Sequence, residues 1–150
     1  VREIIEQAAI VYNSKKSGIL ELGGGVPKNT AQQTGPLLDQ ILRKDHGGQD
    51  YIIQITDARP DTGGLSGATL QEGKSWGKVQ DSHEDLITVY TDSTIAFPLL
   101  ALYALSNEES REQKRIYKNL DKYYKSLQDS ASKVPDKFAD ILKKSDINLD

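Results

Sequence analysis

Three consecutive glycines, Gly23, Gly24 and Gly25, stand between a short apolar segment and a long segment of helical pattern, and this order constrains the fold most. Residues 18–22 are apolar and short enough for a strand, whereas the apolar side chains of residues 26–44 recur at helical spacing. A strand that turns directly into a helix is a building unit of α/β proteins. We therefore predict a strand, a glycine turn and a helix.

This glycine turn has two interpretations. Glycine lets the backbone approach a phosphate closely, and the first N–H groups of the following helix would point toward it. A tight turn that binds nothing has the same composition, and the three glycines lack the spacing of the dinucleotide-binding fingerprint. The turn alone leaves both interpretations open.

Two further apolar segments predict strands. Tyr51–Thr56 is β-branched and nearly continuous, as expected of a buried parallel strand, and Leu86–Tyr90 has the same character. Residues 2–16 show helical spacing and are predicted to form a helix that packs on the sheet. The alternation predicts an α/β fold with a Rossmann-like, mostly parallel sheet and flanking helices.

The last third of the chain changes character. Residues 95–105 are apolar all round, which indicates a helix buried in the core or in a subunit contact. Residues 108–128 are highly charged but keep apolar side chains in helical register, which predicts an amphipathic surface helix, and residues 136–144 predict a shorter one. We divide the chain into a domain of residues 1–106 and a charged helical extension of residues 107–150.

Composition restricts the classes of function. A chain of 150 residues with 37% hydrophobic and 27% charged residues can form one domain with a core, and no run approaches the roughly 18 apolar residues of a membrane span. The net charge of −3 argues against nucleic acid and weakly favours cationic partners such as polyamines. Cysteine is absent, and His46 and His83 are too few and too far apart for a metal site. The chain opens at Val1 and contains no methionine, so we expect a fragment or a processed product. It shows neither a leader pattern nor a membrane span, so we expect a cytoplasmic protein.

Residues 66–78 combine a carboxylate, the only tryptophan and a lysine. If residues 69–77 are helical, Glu72 and Trp76 lie four positions apart on one face, where a carboxylate and an indole can bind the same organic cation. Lys78 then supplies an amine that becomes a nucleophile when its pocket disfavours the proton. The alternative is an ordinary amphipathic helix with a core tryptophan and a solvated lysine.

The order Glu72-Gly-Lys-Ser-Trp-Gly-Lys78, preceded by Ser66-Gly-Ala68 and by Gly23-Gly-Gly-Val-Pro-Lys28, resembles the deoxyhypusine synthase family, including its bacterial, archaeal and homospermidine-forming members. The resemblance extends over residues 1–105. It implies that NAD oxidises spermidine to an imine, that Lys78 captures the aminobutyl group, and that an acceptor amine then receives this group. It also implies members about twice as long as this chain, which would then be their C-terminal half or one subunit of a split enzyme. Since these members assemble as tetramers with active sites between subunits, we expect a homo- or hetero-oligomer.

The resemblance and the pattern together assign candidate site residues. Lys78 is the expected nucleophile, and the expected polyamine contacts are Glu72, Trp76 and Asn29. Asp92 matches a cofactor-binding aspartate, although its position would equally suit the cap of a helix that begins at Thr94. The expected NAD contacts are Gly24, Gly25, Asp57, Ser66, Asp92 and Ser93.

Two departures from the eukaryotic pattern leave the acceptor open. Asn29 stands where those members carry a histidine, and Thr62 and Leu65 stand where protein-modifying members carry aspartates. The acceptor is therefore a protein lysine of a translation factor or a small diamine such as putrescine. A noncatalytic subunit and a simple NAD dehydrogenase are the alternatives, but neither would need Lys78.

Overall fold

The computed structural model of the chain describes residues 2–79, 86–107 and 112–131. None of the helices within these ranges has the length and apolar character needed to cross a membrane. The elements in chain order are α1 Arg2–Tyr12, β1 Gly18–Leu22, α2 Val26–Gln32, α3 Thr34–Pro36 with a following π-helical turn Leu37–Ile41, β2 Tyr51–Thr56, a 3-10 turn Pro60–Thr62, α4 Leu70–Ser75, β3 Leu86–Tyr90, α5 Ser93–Asn107, a 3-10 turn Ile116–Asn119 and α6 Leu120–Ala131.

The three strands form one parallel sheet in the order β1-β2-β3. Helices connect and flank them, so the predicted α/β fold with a parallel sheet is confirmed. The register aligns Glu21 of β1 with Gln54 of β2, and Gln54 with Thr88 of β3. Because the strands are parallel, the segments that follow Leu22, Thr56 and Tyr90 all begin at the same edge of the sheet.

The core consists of two clusters. The first contains no strand residue and joins α1, α6 and the π-helical turn with the residue that follows it: Ala8, Ala9, Leu38, Leu42, Leu127 and Ala131. The second lies on the sheet, where Ile52 packs with Leu70 of α4 and with Val79. The prediction that the first helix packs on the sheet is therefore wrong, because its small buried residues fit closely against α6 and the segment after α2.

Several predicted helices are shorter than expected. The helix predicted over residues 2–16 ends at Tyr12, where the side chains of Asn13 and Ser14 bond backbone carbonyls one turn back. The helix predicted over residues 26–44 is divided at Gln33, and Pro36, which has no N–H to donate, precedes the π-helical turn.

The second half of the chain also departs from its predicted pattern. In place of one helix over residues 108–128, residues 112–115 are irregular and α6 begins at Leu120, after Arg115 adopts a left-handed backbone with φ of 50°. α6 packs on α1, while the proposed division at residue 106 stays a prediction. The predicted loop of residues 80–85 and the predicted helix of residues 136–144 lie outside the described residues.

Two apolar elements expected to be buried are exposed. β3 is an edge strand in which Ile87 and Tyr90 are open to solvent, and no residue of α5 is buried. Burial of this helix in the core of the described chain was therefore a wrong expectation, because apolar periodicity does not reveal which neighbour covers a surface. The other expectation, a subunit contact, stays a prediction.

Candidate functional site

Two predicted site residues are in direct contact. Lys78 donates from Nζ to Oδ1 of Asn29 over 2.9 Å, although 49 positions separate them in the sequence. Asn29 lies in the first turns of α2, directly after the glycine turn, and Lys78 follows α4. Both residues are partly buried, and the hydrogen bond holds the amine in place.

Trp76 stands beside this contact. It is the C-cap residue directly after α4, it is 65% exposed, and its ring centroid lies 5.9 Å from Nζ of Lys78. The alternative interpretation of a core tryptophan is therefore wrong. The exposed indole face lies within cation–π distance of the lysine amine.

Glu72 has a structural role that the sequence analysis missed. Thr69 caps α4 by accepting a hydrogen bond from the backbone N–H of Glu72 over 3.3 Å, and its hydroxyl donates to Oε1 of Glu72 over 3.1 Å. Thr69 is thus a side-chain N-cap that also bonds the carboxylate of Glu72, and the Thr-x-x-Glu order was its signal. The helix spans Leu70–Ser75 and is thus shorter than the expected residues 69–77. One carboxylate oxygen serves the cap, and a polyamine contact by Glu72 stays a prediction.

Close glycine packing fixes the backbone of Lys78. A methyl group at Gly35 would lie 2.7 Å from the carbonyl oxygen of Gly77, and one at Gly48 would lie 2.6 Å from the nitrogen of Val79. The Lys78 N–H also donates to Gly73, over 3.0 Å. Only residues without a side chain permit this approach, so Gly35 and Gly48 are required by the packing around Lys78.

The predicted cofactor residues of the glycine turn and of the loop after β2 also meet. A methyl group at Gly24 would lie 2.6 Å from Cα of Ser66, and Gly25 has a φ of 81°. The turn therefore lies directly against Ser66.

A buried polar network lies beneath the turn. Lys28 is only 7% exposed and donates from Nζ to the carbonyl oxygen of Ala68 over 2.6 Å and to Oε1 of Gln54 over 3.1 Å. Gln32 donates to Oε1 of Glu21 over 2.6 Å, whereas Oε2 of Glu21 is buried without a hydrogen bond. The signal for this network was a polar residue inside each of two apolar strands.

Burial shifts the titration of both charged members of the network. Burial raises the pKa of Glu21 above its ordinary value, more than Gln32 and the nearby charges of Lys28 and Lys78 lower it. Burial also lowers the pKa of Lys28, against the raising effect of Glu21 and Glu72. Each charge is thus less favourable in the fold than in water, despite the partner of opposite sign.

The remaining candidates lie at the carboxyl edge of the sheet. Asp57 directly follows β2 and is exposed, and Asp92 and Ser93 follow β3. Oδ1 of Asp92 accepts from the backbone N–H of Thr94 over 2.8 Å and from its hydroxyl over 2.7 Å, and these bonds lower the pKa of Asp92. Asp92 therefore caps α5, which begins at Ser93 rather than Thr94, and a cofactor contact by Asp92 stays a prediction.

Comparison with known proteins agrees with the motifs that meet here. The family model for deoxyhypusine synthase matches residues 1–104. The chain belongs to the deoxyhypusine synthase family. The resemblance found in the sequence is thereby confirmed.

Curated members of the deoxyhypusine synthase family are close in sequence but longer. A deoxyhypusine synthase-like protein of Nostoc punctiforme is 47% identical over 131 residues, which cover 84% of this chain and 34% of that protein. A second such protein, from a Nostoc species, is 44% identical over 140 residues, covering 90% of this chain and 37% of the relative. A probable deoxyhypusine synthase 2 of Methanosarcina acetivorans is 43% identical over 116 residues, covering 77% and 32%. The chain thus spans about a third of these relatives, less than the half expected from the sequence.

The residues present fit the NAD that the deoxyhypusine synthase family implies. A side chain at Gly24 would fill the contact with Ser66, and Gly25 adopts a backbone conformation that glycine tolerates best. Asp57 and Asp92 add carboxylates at the same sheet edge, suited to accept hydrogen bonds from ribose hydroxyls. Binding of NAD at this edge stays a prediction.

Proposed function

We propose that this chain carries the lysine-bearing part of an enzyme that transfers an aminobutyl group from spermidine to an acceptor amine with NAD as cofactor. The observation that supports this most is the contact between Lys78 Nζ and Asn29 Oδ1, with the indole of Trp76 beside it. An amine held between a neutral amide and an aromatic face is suited to attack carbon once it has lost its proton.

The chemistry requires Lys78 to act as a carrier. When bound, NAD supplies the oxidation that turns the secondary amine of spermidine into an imine. The unprotonated Nζ attacks the imine carbon, the rest of spermidine leaves as a free amine, and a new imine joins Nζ to the aminobutyl group. The acceptor amine then displaces Nζ in the same manner, which frees Lys78 and leaves an imine between the acceptor and the aminobutyl group. The hydride removed from spermidine would return to this imine and give a secondary amine, so that the cofactor is not consumed.

The neighbouring residues have distinct roles in this scheme. Asn29 orients Nζ without titrating, since an amide neither takes nor releases a proton near neutral pH. Trp76 offers its exposed face to a cationic part of the polyamine, and Glu72 offers a carboxylate to an ammonium group. NAD would be held by Gly24, Gly25, Asp57, Ser66, Asp92 and Ser93.

Activity in this scheme requires contact with a second polypeptide chain. The exposed sides of β3 and α5 are apolar, with Ile95, Leu102 and Leu105 each more than 60% exposed. Exposed apolar side chains in this number usually contact another protein surface. The same surface would serve a noncatalytic, partner-requiring subunit, so the nucleophile itself has to be tested.

Substitution of Lys78 separates the two possibilities. In the complete assembly, Lys78→Ala should abolish transfer from labelled spermidine. The dissociation constant for NAD should stay within about twofold of the wild type, because the substitution removes the nucleophilic amine and leaves the expected NAD-binding residues in place. The matched control is Lys74→Ala, one helical turn earlier, which should keep both. Transfer that survives in the Lys78 variant would exclude this residue as nucleophile, and equal loss of transfer and NAD binding would show a structural role.

For the acceptor, the loop after β2 favours a small diamine. The side chain of Leu65 is apolar and 46% exposed, and the hydroxyl of Thr62 donates to the carbonyl oxygen of Arg59 over 2.7 Å. Neither position provides the negative charge that would bind a long cation, so we propose putrescine as an acceptor that yields homospermidine. Competition between putrescine and the translation factor precursor tests this, and strong preference for the protein would contradict it.

A further inference from the structure

Gln54 is a buried amide whose hydrogen-bonding groups are all engaged. It lies in the middle of β2 and is 1% exposed. Its Nε2 donates to the carbonyl oxygen of Gly23 over 3.0 Å and to that of Ser66 over 2.9 Å, while its Oε1 accepts from Nζ of Lys28 over 3.1 Å. Both amide hydrogens and the oxygen therefore have partners.

These partners belong to three segments whose relative positions determine the geometry of the proposed site. Gly23 opens the glycine turn, Ser66 belongs to the loop that touches that turn, and Lys28 precedes Asn29 in α2. Nζ of Lys28 also donates to the carbonyl oxygen of Ala68, so the loop is held at two points. A single side chain thus links both halves of the candidate cofactor cradle to the helix that carries the partner of Lys78.

The position of Gln54 in the sheet shows that this link is not a by-product of burial. Its neighbours Ile53 and Ile55 are apolar, and its cross-strand partners in the register are Glu21 and Thr88. A buried amide is favourable only when it is fully hydrogen-bonded, and an apolar residue would fill the same space without that requirement. The presence of a buried amide at Gln54 is explained by the carbonyl groups of Gly23 and Ser66, which it holds in place.

We propose that Gln54 is a positioning residue that fixes the separation between the glycine turn and Ser66 and the approach of Asn29 to Lys78. The expected effect on catalysis rests on the proposed function, whereas the expected effect of Gln54 on the positions of these segments does not. Gln54 would not contact the substrate; it acts through the backbone of residues that do. Displacement of such residues by about 1 Å can cost on the order of 100-fold in rate.

The test compares Gln54→Leu with Gln32→Leu. Gln32 is also a buried glutamine, but its side chain bonds Glu21 and not the cradle, so the control loses a buried amide without releasing the turn. In the complete assembly, Gln54→Leu should raise KM for NAD at least 10-fold, whereas Gln32→Leu should change it less than threefold. Gln54→Glu serves if the leucine variant does not fold, since it keeps an acceptor for Lys28 but loses both donors, and it should also raise KM.

Hydrogen exchange provides a readout that does not depend on activity. The backbone amides of residues 23–25 and 66–68 should exchange at least 10-fold faster in the Gln54 variants than in the wild type or in Gln32→Leu. Equal exchange in the Gln54 and Gln32 variants would overturn the proposal, even if the assembly binds no NAD. Failure of the wild-type assembly to bind NAD, with faster exchange only in the Gln54 variants, would instead contradict the proposed function and leave the positioning role supported.

Discussion

Replacing Gly24 with alanine tests whether the turn and Ser66 form one cradle. The new methyl carbon would lie 2.6 Å from Cα and 3.1 Å from Cβ of Ser66, whereas carbon atoms in contact are usually about 3.5–4.0 Å apart. Because the nearest atom belongs to the backbone, no rotamer change relieves the overlap. The turn and the loop would have to separate by about 1 Å.

A displacement of this size has a predictable consequence for catalysis. Misplacement by about 1 Å can cost roughly 100-fold, and we expect that loss in kcat/KM for NAD. Calorimetric titration of the complete assembly with NAD should show a correspondingly weaker dissociation constant. The melting temperature should also fall, because separation of the turn from Ser66 stretches the bonds of the buried Gln54 amide to Gly23 and Ser66.

Gly23→Ala is the matched control. Gly23 has a φ of 80°, and a methyl group there would meet no atom within 4 Å. Alanine at this position therefore carries a backbone strain of about 1 kcal/mol but does not push Ser66 away. NAD affinity within twofold of the wild type in the Gly24 variant, or an equal loss in the Gly23 variant, would refute the reasoning.

Three further predictions concern stability and assembly. Burial raises the pKa of Glu21, so the stability that this residue contributes is fully present below its ordinary pKa of 4.5 and is lost as the pH rises through the folded-state pKa. Urea unfolding should show this loss of stability in the wild type and not in Glu21→Gln. Thr69→Ala should destabilise the chain by about 1 kcal/mol in the same assay, whereas Thr69→Ser should not, because serine also caps α4. The isolated chain should not turn over spermidine, and a rate of about 1 per second or faster without a second chain would contradict the need for a partner.

The sequence predicted the parts of the fold that depend on local pattern. The glycines at 23–25 and the β-branched strand Tyr51–Thr56 identified the strand–turn–helix order, because backbone freedom and side-chain alternation act over a few residues. Burial depended on distant neighbours instead. Nothing in the apolar pattern of Leu86–Tyr90 or of residues 95–105 shows that the described chain leaves these elements uncovered.

The candidate site also has features that the sequence predicts and contacts that only the folded chain shows. The make-up of residues 66–78 and the family resemblance both indicate Lys78, the resemblance alone indicates Asn29, and only the folded chain shows that their side chains lie 2.9 Å apart. Gln54 was read as one more residue of a strand, because its polar character is visible in the sequence while its three partners are not. The spacing of Thr69 and Glu72 is compatible with a helix cap, but the sequence does not show that the Thr69 hydroxyl bonds both the backbone and the carboxylate of Glu72.

Chemical trapping on Lys78 tests the central claim most directly. The complete assembly would be incubated with NAD and with spermidine labelled in its aminobutyl part, then treated with borohydride, which converts a lysine imine to a stable secondary amine. Peptide mass mapping should place the aminobutyl group on Lys78, with no label in Lys78→Ala. Label on Lys28, Lys74 or any other lysine instead, or none in an assembly that binds both ligands, would contradict the account.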